Sequence, residues 1–478
     1  MAVLKRFLPS SNILIRGGII LVLFPALALI GFLVPRMGPD MILFGIVALL
    51  ALVLWVRLGR IEYGILAIIL TSGLIRFRLP TGTESEIVAS MIVSSGIVGL
   101  WLLQSIVIDK NLHLKPAPTN KSLLVFMALC VVSYAWSNMF RDFMVQTWGS
   151  FPLVQLAALT VMLLLPAVFL VTSNVIEDTR WLQWITWLII IIGTLSVPVY
   201  ELVWQFEVLP SSHFLNWLFQ THGLFAMWVT TLAYALALFD ERLSLWLRCA
   251  LLILAAAWVH WRLVIGETWV SGWAPMGLAC IIVTLLRSKK LFVVLSIVGL
   301  LYILVFTNFA DRVFSHAEAS GSYERLDIWQ VNIQHVLKHP VFGSGPAGYA
   351  VYYMTYNPNN ARSTHNNLFD IVAQTGVTGF VCFIWFFVAL GFLGYGLHRK
   401  LRQRRDFEEA FAVATFAGCI GAFGSMMLGD WVIPFAYNQT ITGFDHSVYT
   451  WILLGGMVSL YHIVRARETG EAASEPGD

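Results

Sequence analysis

Apolar runs long enough to cross a bilayer recur along the whole chain, and short basic clusters punctuate them. A hydrocarbon core takes a helix of ~20 apolar residues, and that ruler divides the sequence into about twelve to fourteen helices. The shortest candidates lie near Tyr63–Leu74 and Trp246–Val259. Of the 478 residues, 58% are hydrophobic and only 12% are charged, whereas a soluble domain carries about 25% charge. That deficit sets the expected fold class: an all-α, polytopic integral membrane protein, with residues 1–478 as a single transmembrane domain among membrane lipids. A formal net charge of +3 is too small for a nucleic-acid partner, so the distribution of charge carries more information than its sum.

The basic clusters orient the chain. They are Lys5, Arg6 and Arg16; Arg57 and Arg60; the three lysines of 109–121; Arg287–Lys290; His398–Arg405; and Arg465 with Arg467. With the N-terminus inside and helices alternating, all of them fall on the cytoplasmic side, and so do both termini. Ile19–Val34 lacks a clear small-residue cleavage site and reads as a retained helix. The tail, 466–478, reads as disordered. The opposite loops include 138–151, 260–272, 308–364 and 429–447, and the longest is 308–364. Five cysteines stand singly in apolar stretches, which gives neither a disulfide framework nor a metal site. There is no Walker loop, no GxGxxG after a strand and no HExxH, so energy from nucleotide hydrolysis is not encoded here.

The long loop is where charged chemistry collects. In "GSYERLDIWQVNIQHVLKHPVFGSGPAGY" (321–349), Leu326, Trp329, Ile333 and Val336 recur at helical spacing and predict one apolar face. Arg325 and Trp329 are one turn apart and share a side. Pro340 ends the helix, and the glycines after it let backbone approach a ligand or another helix. One reading is an amphipathic helix on the membrane surface with Arg325 reaching to headgroups. The other is an anion site. In "ARSTHNNLFDIVAQTGVTG" (361–379), His365 stands at or near the start of a helix, where free N–H groups favour anions. Arg312, Arg325 and Arg362 belong to the same external segment, and the guanidinium fork suits phosphate. A histidine beside them can accept a proton near neutral pH. Together they suggest chemistry on a lipid-linked phosphate. Asp370, near the helix start, is either functional or reaches interfacial water. Asp430, Asp445 and His446 either line an acceptor entrance or solvate their loop.

The order Arg325/Trp329, Pro340/Gly343/Gly345, then His365/Asn366/Gly376/Gly379 resembles the bacterial O-antigen ligase and polymerase family, most clearly over 266–379 and more weakly over 123–239. The resemblance implies a membrane glycosyltransferase of the bacterial inner membrane. The donor would be a glycan on undecaprenyl diphosphate at the periplasmic face, with no metal or nucleotide cofactor. The acceptor would be lipid A–core in a ligase, or another lipid-linked repeat unit in a polymerase. By motif position His365 is the base and Arg325 a diphosphate ligand. The family also carries an arginine where this chain has Ser271 in "ETWVSGWAP". Arg262, in the same external loop, and Arg141 are the candidates to supply that charge, and Arg362 is a further diphosphate-binding candidate. Glu267 either pairs with Arg262 or serves as a second base. A transporter of lipid-linked sugars is the rival class, but it should line its path with charges at mid-membrane depth, and here the charges gather in external loops.

Overall fold

The computed structural model describes residues 60–75, 78–80, 86–108, 110, 114–200, 224–265, 270–306, 322–356, 363–436 and 441–474. The expectations for the first apolar runs and for Glu267, Arg312 and Arg362 lie outside them.

The described chain is almost wholly helical. α1 (Glu62–Leu74) leads to a small antiparallel hairpin, β1 (Arg78–Pro80) and β2 (Glu86–Val88), with Leu79 opposite Ile87. α2 (Ala89–Leu103) continues into a π turn at Gln104–Ile108, and α3 (Asn120–Met139), α4 (Phe151–Val175) and α5 (Thr179–Tyr200) follow. Next come α6 (Phe225–Phe239), α7 (Leu245–His260) with a π turn at Trp261–Ile265, α8 (Val270–Arg287) and α9 (Lys289–Phe306). The last five are α10 (Ser322–Lys338), α11 (Gly348–Tyr356), α12 (Asn367–Leu401), α13 (Phe407–Met426) and α14 (Phe444–Ser474). Among the described residues nine helices are long and apolar enough to cross a membrane, and α1 and α6 are shorter apolar helices. The fold is therefore the all-α polytopic membrane protein that the composition dictates.

α4 packs along α14, and α13 is enclosed by α6, α8, α12 and α14. α6 has 15 residues, about 22 Å of helix, too short to span alone. It is buried on nearly every side, so its neighbours shield its ends. Trp228 in α6 donates its indole N–H to Thr450 of α14 at 2.9 Å. At the basic end of the bundle, buried Glu408 receives Arg467 at 2.8 and 3.0 Å and Arg404 at 3.1 Å. Lys400 pairs with Glu468 at 2.8 Å. α14 continues through these residues to Ser474, so the tail expected to be disordered from 466 begins as paired helix.

The feature that shapes the opposite end is a break in α12. Gly376 leaves helical geometry at φ 70°, ψ −177°. The carbonyls of Ala373 and Gln374 are then free of the helical ladder, which an apolar solvent does not tolerate unless protein supplies partners. The turn after α10 supplies them. Ser344 N–H donates to Ala373 O at 3.0 Å and Gly345 N–H to Gln374 O at 2.9 Å. In return Val377 N–H donates to Pro340 O at 2.8 Å. The Ser133 hydroxyl of α3 reaches Phe342 O at 2.6 Å and Gln374 O at 2.5 Å. Of the two uses open to the Pro340–Gly348 glycines, ligand or helix, the structure records the second. A Cβ on Gly343 would stand 2.5 Å from the Gln374 carbonyl.

α10 lies against this plug, and its buried side differs from the one its apolar spacing predicts. Leu326 and Ile333 are 63% and 46% exposed, and Leu337 and Val341 continue their stripe. The side turned inward carries Ile328, Asn332 and His335, with Trp329 and Val336 partly buried. The period is helical as expected. The apolar stripe faces outward because lipid, unlike water, accepts leucine and isoleucine without cost.

Candidate functional site

His365 is the half-buried residue in a run whose other members are buried. Ser363, Thr364, Asn366 and Asn367 are each at most 4% exposed. Its backbone is left-handed, φ 51°, a conformation uncommon for any residue with a Cβ. The hydrogen bonds show what imposes it. Asp370, 1% exposed, reaches back from the first turn of α12. Its Oδ1 accepts from Thr364 N–H at 3.2 Å and from the Thr364 hydroxyl at 2.8 Å. Its Oδ2 accepts from the Ser363 hydroxyl at 3.3 Å. Ser363 Oγ in turn accepts the N–H of His365 at 2.9 Å. Asp370 therefore does not reach interfacial water. It is a buried clamp on the two residues before the histidine, close enough to be held by them because the turn folds back over the helix start.

The helix start lies beside His365, where the sequence puts it. Asn366 is the N-cap, and its Oδ1 accepts from Leu368 N–H at 3.0 Å and Phe369 N–H at 3.4 Å. Asn367 N–H donates to Gly429 O at 3.3 Å, and Asp370 N–H to Asn366 O at 3.0 Å. The donors that a helix start leaves free are consumed internally, so this terminus does not offer them to an anion. The Asn367 side chain pins the last loop: Oδ1 accepts from Val432 and Ile433 N–H at 3.0 and 3.2 Å, and Nδ2 donates to Ile433 O at 2.6 Å. Asp430 in that loop is buried and accepts from Phe435 N–H at 3.0 Å. Asp445 is buried and accepts from the Ser90 hydroxyl. Asp430 thus braces backbone and Asp445 a buried hydroxyl, and neither is a solvated loop charge.

The helix that carries Arg325 is bonded to this site. One turn on, Trp329 donates its indole N–H to Thr364 O at 2.8 Å and stacks on Phe369 at 5.4 Å between centroids. Helical spacing puts Arg325 on the same face, and helical side chains lean toward the N-terminus. Arg325 is half-buried, and that burial lowers its pKa from the usual value; an arginine nevertheless stays charged. Among the described residues no carboxylate pairs with it.

The inward side of α10 continues into an aromatic layer. His335 packs on Tyr349 at 5.5 Å, Tyr352 at 4.7 Å and His339 at 4.9 Å. Burial, aided by the positive neighbours His339 and Lys338, pushes the His335 pKa down to about 3. It is a neutral packing residue at any physiological pH.

The remaining arginines divide. Arg262 sits in the π turn after α7, and a Cβ added to Gly272 would stand 3.7 Å from its Nη1. The guanidinium thus lies beside the helix start that carries Ser271. Arg141 bonds Asn138 at 3.1 Å and Gln155 at 3.4 Å and lies over the Phe151 ring at 4.9 Å. Those contacts tie it to α3 and α4, not to the His365 turn. The motif pattern singled out Trp329, Asn366 and Gly376 without their tasks. The inward roles of the Thr364 and Asn367 side chains went unread, because nothing in a polar run marks which hydroxyl or amide turns inward.

Residues 227–384 match the family model described as O-antigen ligase. The match spans α6 to the middle of α12 and includes Arg262, Arg325, His365 and Gly376. No curated protein matches the chain.

Proposed function

On the premise that the chain carries an O-antigen ligase family domain, we propose that it moves a glycan from undecaprenyl diphosphate to a hydroxyl of lipid A–core at the periplasmic face of the inner membrane. His365 takes the proton of the acceptor hydroxyl as its oxygen attacks the anomeric carbon. The bond from that carbon to the diphosphate breaks, and its electron pair leaves with the lipid diphosphate. Attack opposite the leaving group inverts the centre, as in inverting glycoside chemistry. Arg325 stabilises the charge that grows on the diphosphate. Arg262, beside Ser271, supplies the arginine that the family carries at that place, with Arg362 as a further diphosphate ligand. In this reading Arg141 anchors its own loop, Glu267 pairs with Arg262, and Asp370 orients the histidine's turn.

The observation that supports this reading is a half-buried arginine with no described anionic partner, on a helix bonded directly to the residue before His365. A buried cation needs a counter-charge, and a diphosphate provides one. The deciding assay uses purified protein, lipid-linked glycan and two acceptors, lipid A–core and a second lipid-linked repeat unit. Transfer to the first is expected; transfer only to the second would make the chain a polymerase. Arg325→Ala should weaken donor use by at least tenfold, since charge-assisted bonds contribute roughly 1.5–3 kcal/mol each. Arg325→Lys should recover part of the loss, because it keeps charge but loses the fork. Full turnover by a well-inserted Arg325→Ala protein would leave that arginine a headgroup anchor.

The side of the membrane is separately testable. Lys338 is exposed on α10 away from the outward apolar stripe, and Lys338→Cys should react with a membrane-impermeant thiol reagent in cells whose outer membrane alone is permeabilised. Reaction only after inner-membrane lysis would overturn the periplasmic placement.

A further inference from the structure

We propose that Thr364 is a positioning residue that fixes the separation between the arginine-bearing helix α10 and His365; the proposal rests on the transfer reaction given above.

Thr364 is completely buried, at 0% exposed, and its backbone N–H, its carbonyl and its hydroxyl are all engaged. Its N–H and hydroxyl are held by Asp370 of α12, at 3.2 and 2.8 Å, and the hydroxyl also lies 2.9 Å from Asn366 O. Its carbonyl takes the Trp329 indole of α10 at 2.8 Å. One residue thus bonds both helices. The next residue in the chain is His365, whose own N–H hangs from Ser363, which hangs from the same Asp370. On the other side of the joint, Arg325 stands one helical turn from Trp329. The base and the leaving-group ligand must lie on opposite faces of one sugar ring, so the distance between them is a catalytic variable. A misplacement of about 1 Å can lower a rate roughly 10²-fold. The Phe369 stack holds Trp329 against α12 without fixing its height along the turn. The 340–345 turn holds the far end of α10 to α12, and at the Arg325 end the indole-to-carbonyl bond ties the helix to the histidine's turn.

The alternative is that Thr364 only satisfies a buried turn. Thr364→Val keeps the side-chain shape and removes the hydroxyl. Thr364→Ser keeps the hydroxyl. Trp329→Phe keeps an aromatic face for Phe369 and removes the donor. If Thr364 is the joint, Thr364→Val and Trp329→Phe each lower kcat by about 10- to 100-fold with the donor KM little changed. Thr364→Ser stays near wild type, and the double variant is no worse than the poorer single. An arm independent of catalysis measures the rate at which diethylpyrocarbonate modifies His365, read by peptide mass spectrometry. Thr364→Val and Trp329→Phe should change that rate and Thr364→Ser should not. A wild-type kcat and wild-type labelling rate in Trp329→Phe would overturn the coupling. So would a Thr364→Val loss that tracks a lowered melting temperature while Trp329→Phe remains fully active. Should wild-type protein show no transfer at all, the labelling arm still decides whether Thr364 and Trp329 set the state of His365, so failure of the reaction and failure of the joint give different results.

Discussion

Replacing His365 with alanine is expected to lower glycan transfer by about 10²–10⁴-fold, the usual share of general base catalysis, while donor binding and insertion stay normal. The donor's tail must remain in the bilayer and its glycan in water, so the bond to be broken can lie only at the rim between them. His365 occupies the turn that leads into a membrane-length helix, and it is the half-exposed residue of that turn. The other polar side chains of the turn are engaged within it: Asp370 accepts from the Ser363 hydroxyl and Thr364 N–H, and Asn366 accepts from Leu368 N–H. The wild-type rate should fall on the acid side as the histidine takes up a proton and can no longer accept one. Near-full activity in His365→Gln with the same acid limb would remove His365 from the chemistry and turn attention to Glu267.

Gly376→Ala is expected to be the most damaging single change to the fold around the site. An added Cβ would lie 2.1 Å from Val341 O and 2.6 Å from Phe342 N, in a backbone held at φ 70°. A left-handed residue with a Cβ costs about 1–3 kcal/mol, and overpacking against backbone costs about as much again. The cheapest relief is withdrawal of the 340–345 turn, which exposes the Ala373 and Gln374 carbonyls and undocks α10. Melting in detergent should fall by several degrees and transfer should be lost. Gly391→Ala is the control on the same helix, since nothing lies within 4 Å of its added Cβ, and it should melt like wild type. Equal melting of the two variants would mean that the break is not held by the plug.

The helices were legible because uninterrupted apolar length is itself the determinant of a membrane span. Even the two short candidates near Tyr63 and Trp246 form helices, Glu62–Leu74 and Leu245–His260. The spacing of α10 was legible, but the side it buries was not. In lipid an outward leucine carries no penalty, so apolar periodicity no longer says which face is inside. His365 and Arg325 stood out by charge and by their place in the motif. Thr364 did not, because nothing local shows that its N–H, hydroxyl and carbonyl engage Asp370, Asn366 and Trp329. The helix start at Asn366 looked like an anion site; the Asn366 amide closes two of its donors, and Gly429, which no local pattern could announce, closes a third.

The break in α12 has a consequence for biogenesis. Every group that answers its exposed carbonyls, the Ser133 hydroxyl of α3 and the amides of Ser344 and Gly345, lies earlier in the chain than α12 itself. Synthesis runs from the N-terminus, and earlier segments organise first. When α12 leaves the ribosome its partners already stand in the bilayer, so the kinked segment is docked as it inserts and never has to cross lipid with bare carbonyls. Moving α12 ahead of α3 by circular permutation would keep every contact of the finished protein and still deprive the nascent helix of them.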